Sequence, residues 1–164
     1  MEEVSGLLLH KKGDRDQLSN YRLLSIAPTM SRFLGAIFSH QLRPILEYHY
    51  GPEQHGFRKG HSTVSLLHIL EAVIHTSTQN NKEVAIVQID VAKAFDKVHR
   101  SALKSFAGNI IREVAPEAAT FIKSMYDGNE VDISFGKATN PINMRSGIRQ
   151  GDPLSPALFS ALVG

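Results

Sequence analysis

Val84-Ala85-Ile86-Val87-Gln88-Ile89-Asp90-Val91-Ala92-Lys93-Ala94-Phe95-Asp96 is the stretch on which the reading of this chain turns. It opens with a nearly continuous apolar run rich in β-branched residues, the pattern of a strand covered on both faces. Asp90 follows directly. An acid at the carboxyl end of a buried strand is expected at the sheet edge, where open α/β sheets commonly place ligands. A carboxylate there can hold a divalent cation, because Mg²⁺ takes oxygen ligands and needs only one or two carboxylates, and the Val91 carbonyl offers a further oxygen. Position alone also fits the commoner role of an Asp that caps the following turn.

Working outward, Gly6 to His10 is expected as a short strand ended by the polar turn Lys11-Lys12-Gly13-Asp14, with a second strand from Leu23 to Ile26. Thr29, after Pro28, is a candidate cap for a helix whose Phe33, Leu34, Ile37, Phe38 and Leu42 form one buried stripe. Pro44 should end or kink that helix. A loop follows at 51–58. A second helix from Thr63 to about Thr76 would turn Leu66, Leu67, Leu70, Val73 and Ile74 inward. Beyond Asp96 the spacing predicts a helix from Ser101 to Ile111 and another from Pro116, suited to a first turn, to about Tyr126. Val131 to Phe135 and Pro141 to Met144 flank a glycine-containing turn, as in a hairpin. Ser155-Pro156 reads as cap and first-turn proline of a last helix. Its apolar sequence runs up to Gly164, so the chain is expected to be cut from a longer one.

Composition narrows the chemistry. With 164 residues, 42% of them apolar, the chain is long enough to bury a core. It has no cysteine, which excludes disulfides and thiolate metal sites, and its eight histidines are scattered, which argues against zinc. The net charge of +2 is too small to announce a nucleic-acid binder by itself. No apolar run approaches the roughly 20 residues of a membrane span. The acidic start, Met1-Glu2-Glu3-Val4, is unlike a signal peptide, so an intracellular location is expected.

Asp90 to Asp96 resembles the first catalytic motif of reverse transcriptases, an acid followed five residues later by an aromatic, and its Ala-Phe-Asp ending resembles the non-LTR retrotransposon and group II intron enzymes. Arg149-Gln150-Gly151-Asp152-Pro153-Leu154-Ser155-Pro156-Ala157-Leu158-Phe159 resembles the next palm motif of that family; on its own it would also fit a plain loop-to-helix junction. Lys11-Lys12-Gly13-Asp14 and Asn20-Tyr21-Arg22 look like the fingers motifs, although two lysines beside a glycine are by themselves usually a solvated turn. Gln54-His55-Gly56-Phe57-Arg58 resembles a segment between fingers and palm. The likeness runs from about Leu7 to Val163, with His10 and Leu23 standing where the family commonly has proline. Its wording leans toward the site-specific elements that insert into ribosomal DNA.

The resemblance implies an α+β fold: polymerase right-hand fingers over about 1–80 and an incomplete palm over about 81–164. It implies RNA-directed DNA polymerization with an RNA template, a DNA primer, deoxynucleoside triphosphates and two Mg²⁺ ions. Asp90 and the Val91 carbonyl would bind metal, while Lys11 and Arg22 would grip the triphosphate, Arg as a planar fork and Lys as a point charge. Phe95 would exclude a 2′-hydroxyl and Gln150 would position the nucleotide, near Gly151. Gln54, Arg58 and Gly151 would support the structure or touch template, and Asp96 would turn the chain. A nuclear location follows for the parent element.

The family's paired-aspartate hairpin has no counterpart here, since no Asp-Asp pair occurs and Asp127, Asp132 and Asp152 are isolated. One carboxylate cannot hold two ions roughly 4 Å apart. The chain alone is therefore expected to be inactive as a polymerase. The unpaired run at Ile86, Val87 and Ile89 should also limit its solubility. A catalytically dead remnant, an RNA-binding module of the same fold, and a group II intron maturase are the alternative readings.

Overall fold

A computed structural model describes residues 4–127, 130–135 and 138–163. Strand β1 (Ser5–His10) pairs antiparallel with β2 (Tyr21–Ile26), in a register that sets Leu9 opposite Arg22 and Leu7 opposite Leu24. The hairpin of β3 (Glu130–Phe135) and β4 (Ala138–Asn143) joins the other edge of β1, β3 running parallel to β1 through Ser5–Asp132 and Gly6–Ile133. The resulting order, β2-β1-β3-β4, builds one sheet from strands far apart in the chain. Val4, Val131 and Ile133 are buried beneath it, with Leu8, Leu23 and Met144 packed alongside. The glycine-containing turn expected at Gly136 lies outside the described residues, as does Gly164.

The main core is helical. Helix α1 (Thr29–Tyr48) contributes Leu42 and Leu46. Helix α3 (Arg100–Phe106) runs through a π-helical turn at Ala107–Ile111 into a single turn, α4 (Arg112–Val114), and contributes Leu103, Ala107 and Ile111. Helix α5 (Pro116–Asp127) adds Ala118, Ile122, Met125 and Tyr126, and α6 (Ser155–Val163) adds Leu158. Helix α2 (Thr63–Gln79) stands apart from this core.

Several expectations are corrected. Thr29 does not cap α1: Pro28 occupies the cap position and no side chain bonds there. Pro44 does not end α1 either, which runs on to Tyr48. The proline removes one main-chain donor, but the fully buried Leu42 and Leu46 on either side hold the flanking turns to the core. The real cap lies at α2, where the Ser62 hydroxyl accepts from the Ser65 N–H at 3.2 Å and the Ser65 hydroxyl returns to the Ser62 N–H at 3.2 Å. The α2 residues expected to face inward, Leu66, Leu67, Leu70, Val73 and Ile74, are all exposed. No cap bond from the Ser155 hydroxyl, the expected cap, is seen; Asp152 instead accepts from the Leu154 N–H at 2.9 Å, just before α6.

The largest correction concerns Val84–Ile89. The segment joins no sheet, and Ile86, Val87 and Ile89 are 59%, 80% and 85% exposed. A strand exists only through its ladder, and no described segment supplies one here. Asp90 is therefore not pinned by a strand. It is held from its downstream side, by a turn in which Lys93 adopts the left-handed conformation (φ 54°) and by the 3₁₀ turn Ala94–Lys97.

That 3₁₀ turn is clamped against the segment leading to Gln150. The Gly147 N–H donates to the Val98 carbonyl at 2.8 Å, the Ile148 N–H to the Phe95 carbonyl at 2.9 Å, and the Ser146 hydroxyl to the Asp96 carbonyl at 3.1 Å. Gly147 has φ +95°, and a Cβ there would stand 3.2 Å from both the Cα and the carbonyl oxygen of Asp96. Backbone lies on both sides of that contact, so no side chain can yield.

Two outcomes follow. Gly147→Ala should destabilise the fold by about 1–3 kcal/mol through backbone strain and the lost clamp, read as a lower midpoint in chemical denaturation; a wild-type midpoint would show that the clamp is not under tension. Val87→Lys combined with Ile89→Lys should raise the soluble yield and lower light scattering at equal concentration, with the circular dichroism spectrum unchanged. If scattering stays the same, this run is not what makes the chain associate.

Candidate active site

Three segments distant in sequence meet around Gln150. The first is the clamped turn that follows Asp90. The second is β2, whose Ser25 N–H donates to the Gln150 carbonyl at 2.8 Å. The third is the Gln150 segment itself, where Gly151 has φ +106° and a Cβ would meet the Ser25 carbonyl at 3.0 Å. Docking β2 here carries Arg22 and Leu24 with it, because alternate residues of a strand share a face. The β1–β2 connection is also braced: the Lys11 N–H donates to the Asn20 carbonyl at 2.9 Å, and the Asn20 side-chain amide to the Asp14 carbonyl at 2.8 Å. Lys11 and Arg22 are thus delivered from a rigid hairpin.

The meeting point is a cleft of about 580 Å³. Asp90, Val91, Lys11, Arg22, Phe95, Gln150 and Gly151 all line it. Lys93, Phe57, Asp96, Arg149 and Asp152 line it as well, and none of these was singled out as a site residue from sequence. Lys93 was visible inside the quoted stretch. What could not be read was its left-handed backbone, which sets it on the cleft wall. Four cationic side chains (Lys11, Arg22, Lys93 and Arg149) and three carboxylates (Asp90, Asp96 and Asp152) therefore share one concave surface.

The wall at Phe95 is firm. Its ring stacks on Phe159 with centroids 4.3 Å apart and planes 17° apart, and meets Phe57 edge-on at 6.2 Å. Offset stacking of this kind adds to the burial energy and fixes the ring plane. Below the cleft, Arg149 and Arg100 both lie over the ring of the fully buried Tyr126, at 5.9 and 5.7 Å from its centroid, a cation–π arrangement. Burial lowers the pKa of the Arg149 guanidinium, against the pull of Tyr126 and Asp152. Asp152 is 4% exposed, and burial pushes its carboxyl up, against the Leu154 N–H, Arg149 and Arg32. Arg149 and Asp152 thus serve largely as the floor on which Gln150 and Gly151 rest.

Gln54 and Arg58 do not reach the cleft. The Gln54 amide donates to the Gly56 carbonyl at 2.9 Å, and Arg58 pairs with Glu47 and donates to the Gly51 carbonyl at 3.0 Å. Both tie down their own loop. Asp127 pairs with Lys104 at 2.6 Å on the surface and Asp132 lies within β3, both away from the cleft.

Mg²⁺ fits the donor set only in part. Among the described residues no group of three His or acidic side chains could hold a metal. Asp96 gives one oxygen to Gln150 at 2.7 Å and Asp152 gives one to the Leu154 N–H, while Asp90 lines the cleft beside the Val91 carbonyl. A single carboxylate with a main-chain carbonyl nevertheless matches how Mg²⁺ is commonly held, the remaining ligands being substrate phosphate oxygens and water.

Among the described residues no helix is long and apolar enough to cross a membrane. Residues 9–164 match the family described as "Reverse transcriptase (RNA-dependent DNA polymerase)". The chain is 33% identical over 158 residues to the "Retrovirus-related Pol polyprotein from type-1 retrotransposable element R2" of Popillia japonica, covering 95% of this chain and 22% of that protein. It is 29% identical over 160 residues to the "Probable RNA-directed DNA polymerase from transposon BS" of Drosophila melanogaster, covering 96% of this chain and 17% of that protein. The "Transposon TX1 uncharacterized 149 kDa protein" of Xenopus laevis is 27% identical over 158 residues, 95% of this chain and 12% of that protein. The chain thus spans about a fifth of these relatives or less. It belongs to the reverse transcriptase (RNA-dependent DNA polymerase) family, among the enzymes of non-LTR retrotransposons.

Proposed function

We propose that this chain supplies the nucleotide-binding half of an RNA-directed DNA polymerase site that works with an RNA template, a DNA primer and deoxynucleoside triphosphates in the nucleus. The supporting observation is the convergence of Lys11, Arg22, Asp90, Phe95 and Gln150, drawn from four separate segments, on one cleft of about 580 Å³. In the reaction the primer 3′-hydroxyl attacks the α-phosphorus of the incoming nucleotide. The new P–O bond forms as the bond to pyrophosphate breaks. Bound Mg²⁺ would polarise the phosphoryl oxygens and offset charge on the leaving group.

The chain's own residues have separable tasks. Lys11 and Arg22, delivered by the braced hairpin, hold the triphosphate, whose charge grows on the leaving side. Asp90 with the Val91 carbonyl would hold a Mg²⁺ ion. The Phe95 ring, fixed by Phe159, forms a wall against which a sugar carrying a 2′-hydroxyl collides. Gln150, bonded to Asp96 beside that ring, contacts the nucleotide. Lys93 adds positive charge on the same side as Asp90.

Phe95→Val in the full-length protein that carries these residues should raise ribonucleotide incorporation by at least about tenfold relative to deoxyribonucleotide, since relieving a steric clash is worth more than 1 kcal/mol. An unchanged sugar preference would remove the gate from Phe95. Residues 1–164 purified alone should show no Mg²⁺-dependent primer extension, because no group of three His or acidic side chains among the described residues could hold a metal. Robust extension by that chain would overturn the assignment of the metal ligands.

A further inference from the structure

Asp96 was expected only to turn the chain, yet its side chain reaches into the cleft and binds Gln150. The Gln150 side-chain amide donates from Nε2 to Asp96 Oδ1 at 2.7 Å, across 54 residues of sequence. A carboxylate is acceptor-only when ionised, so the amide must turn its NH₂ end toward it. The carbonyl oxygen of Gln150 then faces the other way, leaving Oε1 as a hydrogen-bond acceptor for a ligand.

Asp96 is itself held independently of that bond. Its N–H donates to the Lys93 carbonyl at 3.0 Å, its carbonyl accepts from the Ser146 hydroxyl at 3.1 Å, and Gly147 presses on its backbone. The main chain that bears the carboxylate is therefore fixed, and the short Asp96 side chain has fewer bonds to order than the glutamine it meets. A glutamine has three rotatable side-chain bonds, and ordering them only when a ligand arrives would cost binding free energy.

We propose that Asp96 is a positioning residue that pre-sets the Gln150 amide, so that its Oε1 is presented to a hydroxyl or N–H donor of the incoming nucleotide. This rests on the reading of the cleft as a nucleotide site. Two other roles for Asp96 make different predictions. A metal ligand would change the Mg²⁺ requirement when removed, and a plain turn residue would act on stability, whether or not Gln150 is present.

The test is a double-mutant cycle in the full-length protein, measuring single-nucleotide incorporation for wild type, Asp96→Ala, Gln150→Ala and the double variant. Each single change should lower kcat/KM for the nucleotide about tenfold, mainly through KM, the scale expected for losing one charge-assisted hydrogen bond. The double variant should fall within about twofold of Gln150→Ala alone, because Asp96 acts through Gln150. The Mg²⁺ midpoint should not move. Asp96→Asn, which keeps an acceptor for the amide, should stay within about threefold of wild type. Should Asp96→Ala fail to fold, Asp96→Glu serves in the cycle: it keeps the charge but displaces the carboxylate, and its effect should likewise vanish without Gln150. Additive losses, a shifted Mg²⁺ midpoint, or a wild-type Asp96→Ala beside an impaired Gln150→Ala would overturn the inference while leaving the nucleotide reading intact. A wild-type Gln150→Ala would instead sink the assignment of Gln150 to the nucleotide, and Asp96 would fall with it.

Discussion

The main-chain clamp between residues 95–98 and 146–148 is the constraint on which the cleft depends. Without it nothing would fix Asp90, because the run that precedes it forms no ladder and leaves that side of the residue unsupported. With it, the 3₁₀ turn after Asp90 is tied to the segment carrying Gln150, and Ser25 ties that segment to β2. Each tie is a backbone hydrogen bond, individually worth about 1 kcal/mol. Their effect is geometric: together they set the cations Lys11 and Arg22, the acid and the aromatic wall in one frame.

Electrostatics and packing divide the work within that frame. Arg149 and Asp152 are drawn under the loop, where burial lowers the pKa of one and raises that of the other. The cations at the cleft surface, Lys11, Arg22 and Lys93, are left to face a ligand. The buried floor is costly, since a charge taken from water needs partners. Tyr126, Arg149 and Asp152 supply them to one another and so hold the loop over the helical core.

Much of this was legible in the residues. The strands of the first hairpin, α5, the second hairpin and α6 lie close to where periodicity and turn chemistry put them, because short-range signals decide them. Lys11, Arg22, Asp90, Phe95 and Gln150 were picked out by the motifs that resemble the family's, and they do line one cleft. What was not legible required knowledge of partners. The pattern of Val84–Ile89 describes a strand that is buried once neighbours cover it, and a pattern cannot say whether the neighbours are at hand. The apolar positions of α2 err in the same way. At Pro44 the helix does not end but continues to Tyr48, with the buried Leu42 and Leu46 holding the flanking turns.

Asp96 and Gly147 show why side-chain chemistry alone underreads such a site. Gly147 has no side chain to suggest a role, yet its left-handed backbone and its 3.2 Å approach to Asp96 set where the 3₁₀ turn can lie. Asp96 carries an acid that invites a metal, and in the structure that acid is committed to an amide instead. Both residues sit one step from the groups that meet a ligand. Their identity is dictated by distance to another segment, which sequence spacing does not report. Only one oxygen of the Asp96 carboxylate accepts from the glutamine, and that bond joins the turn after Asp90 to the segment of Gln150 through side chains as the clamp does through the main chain.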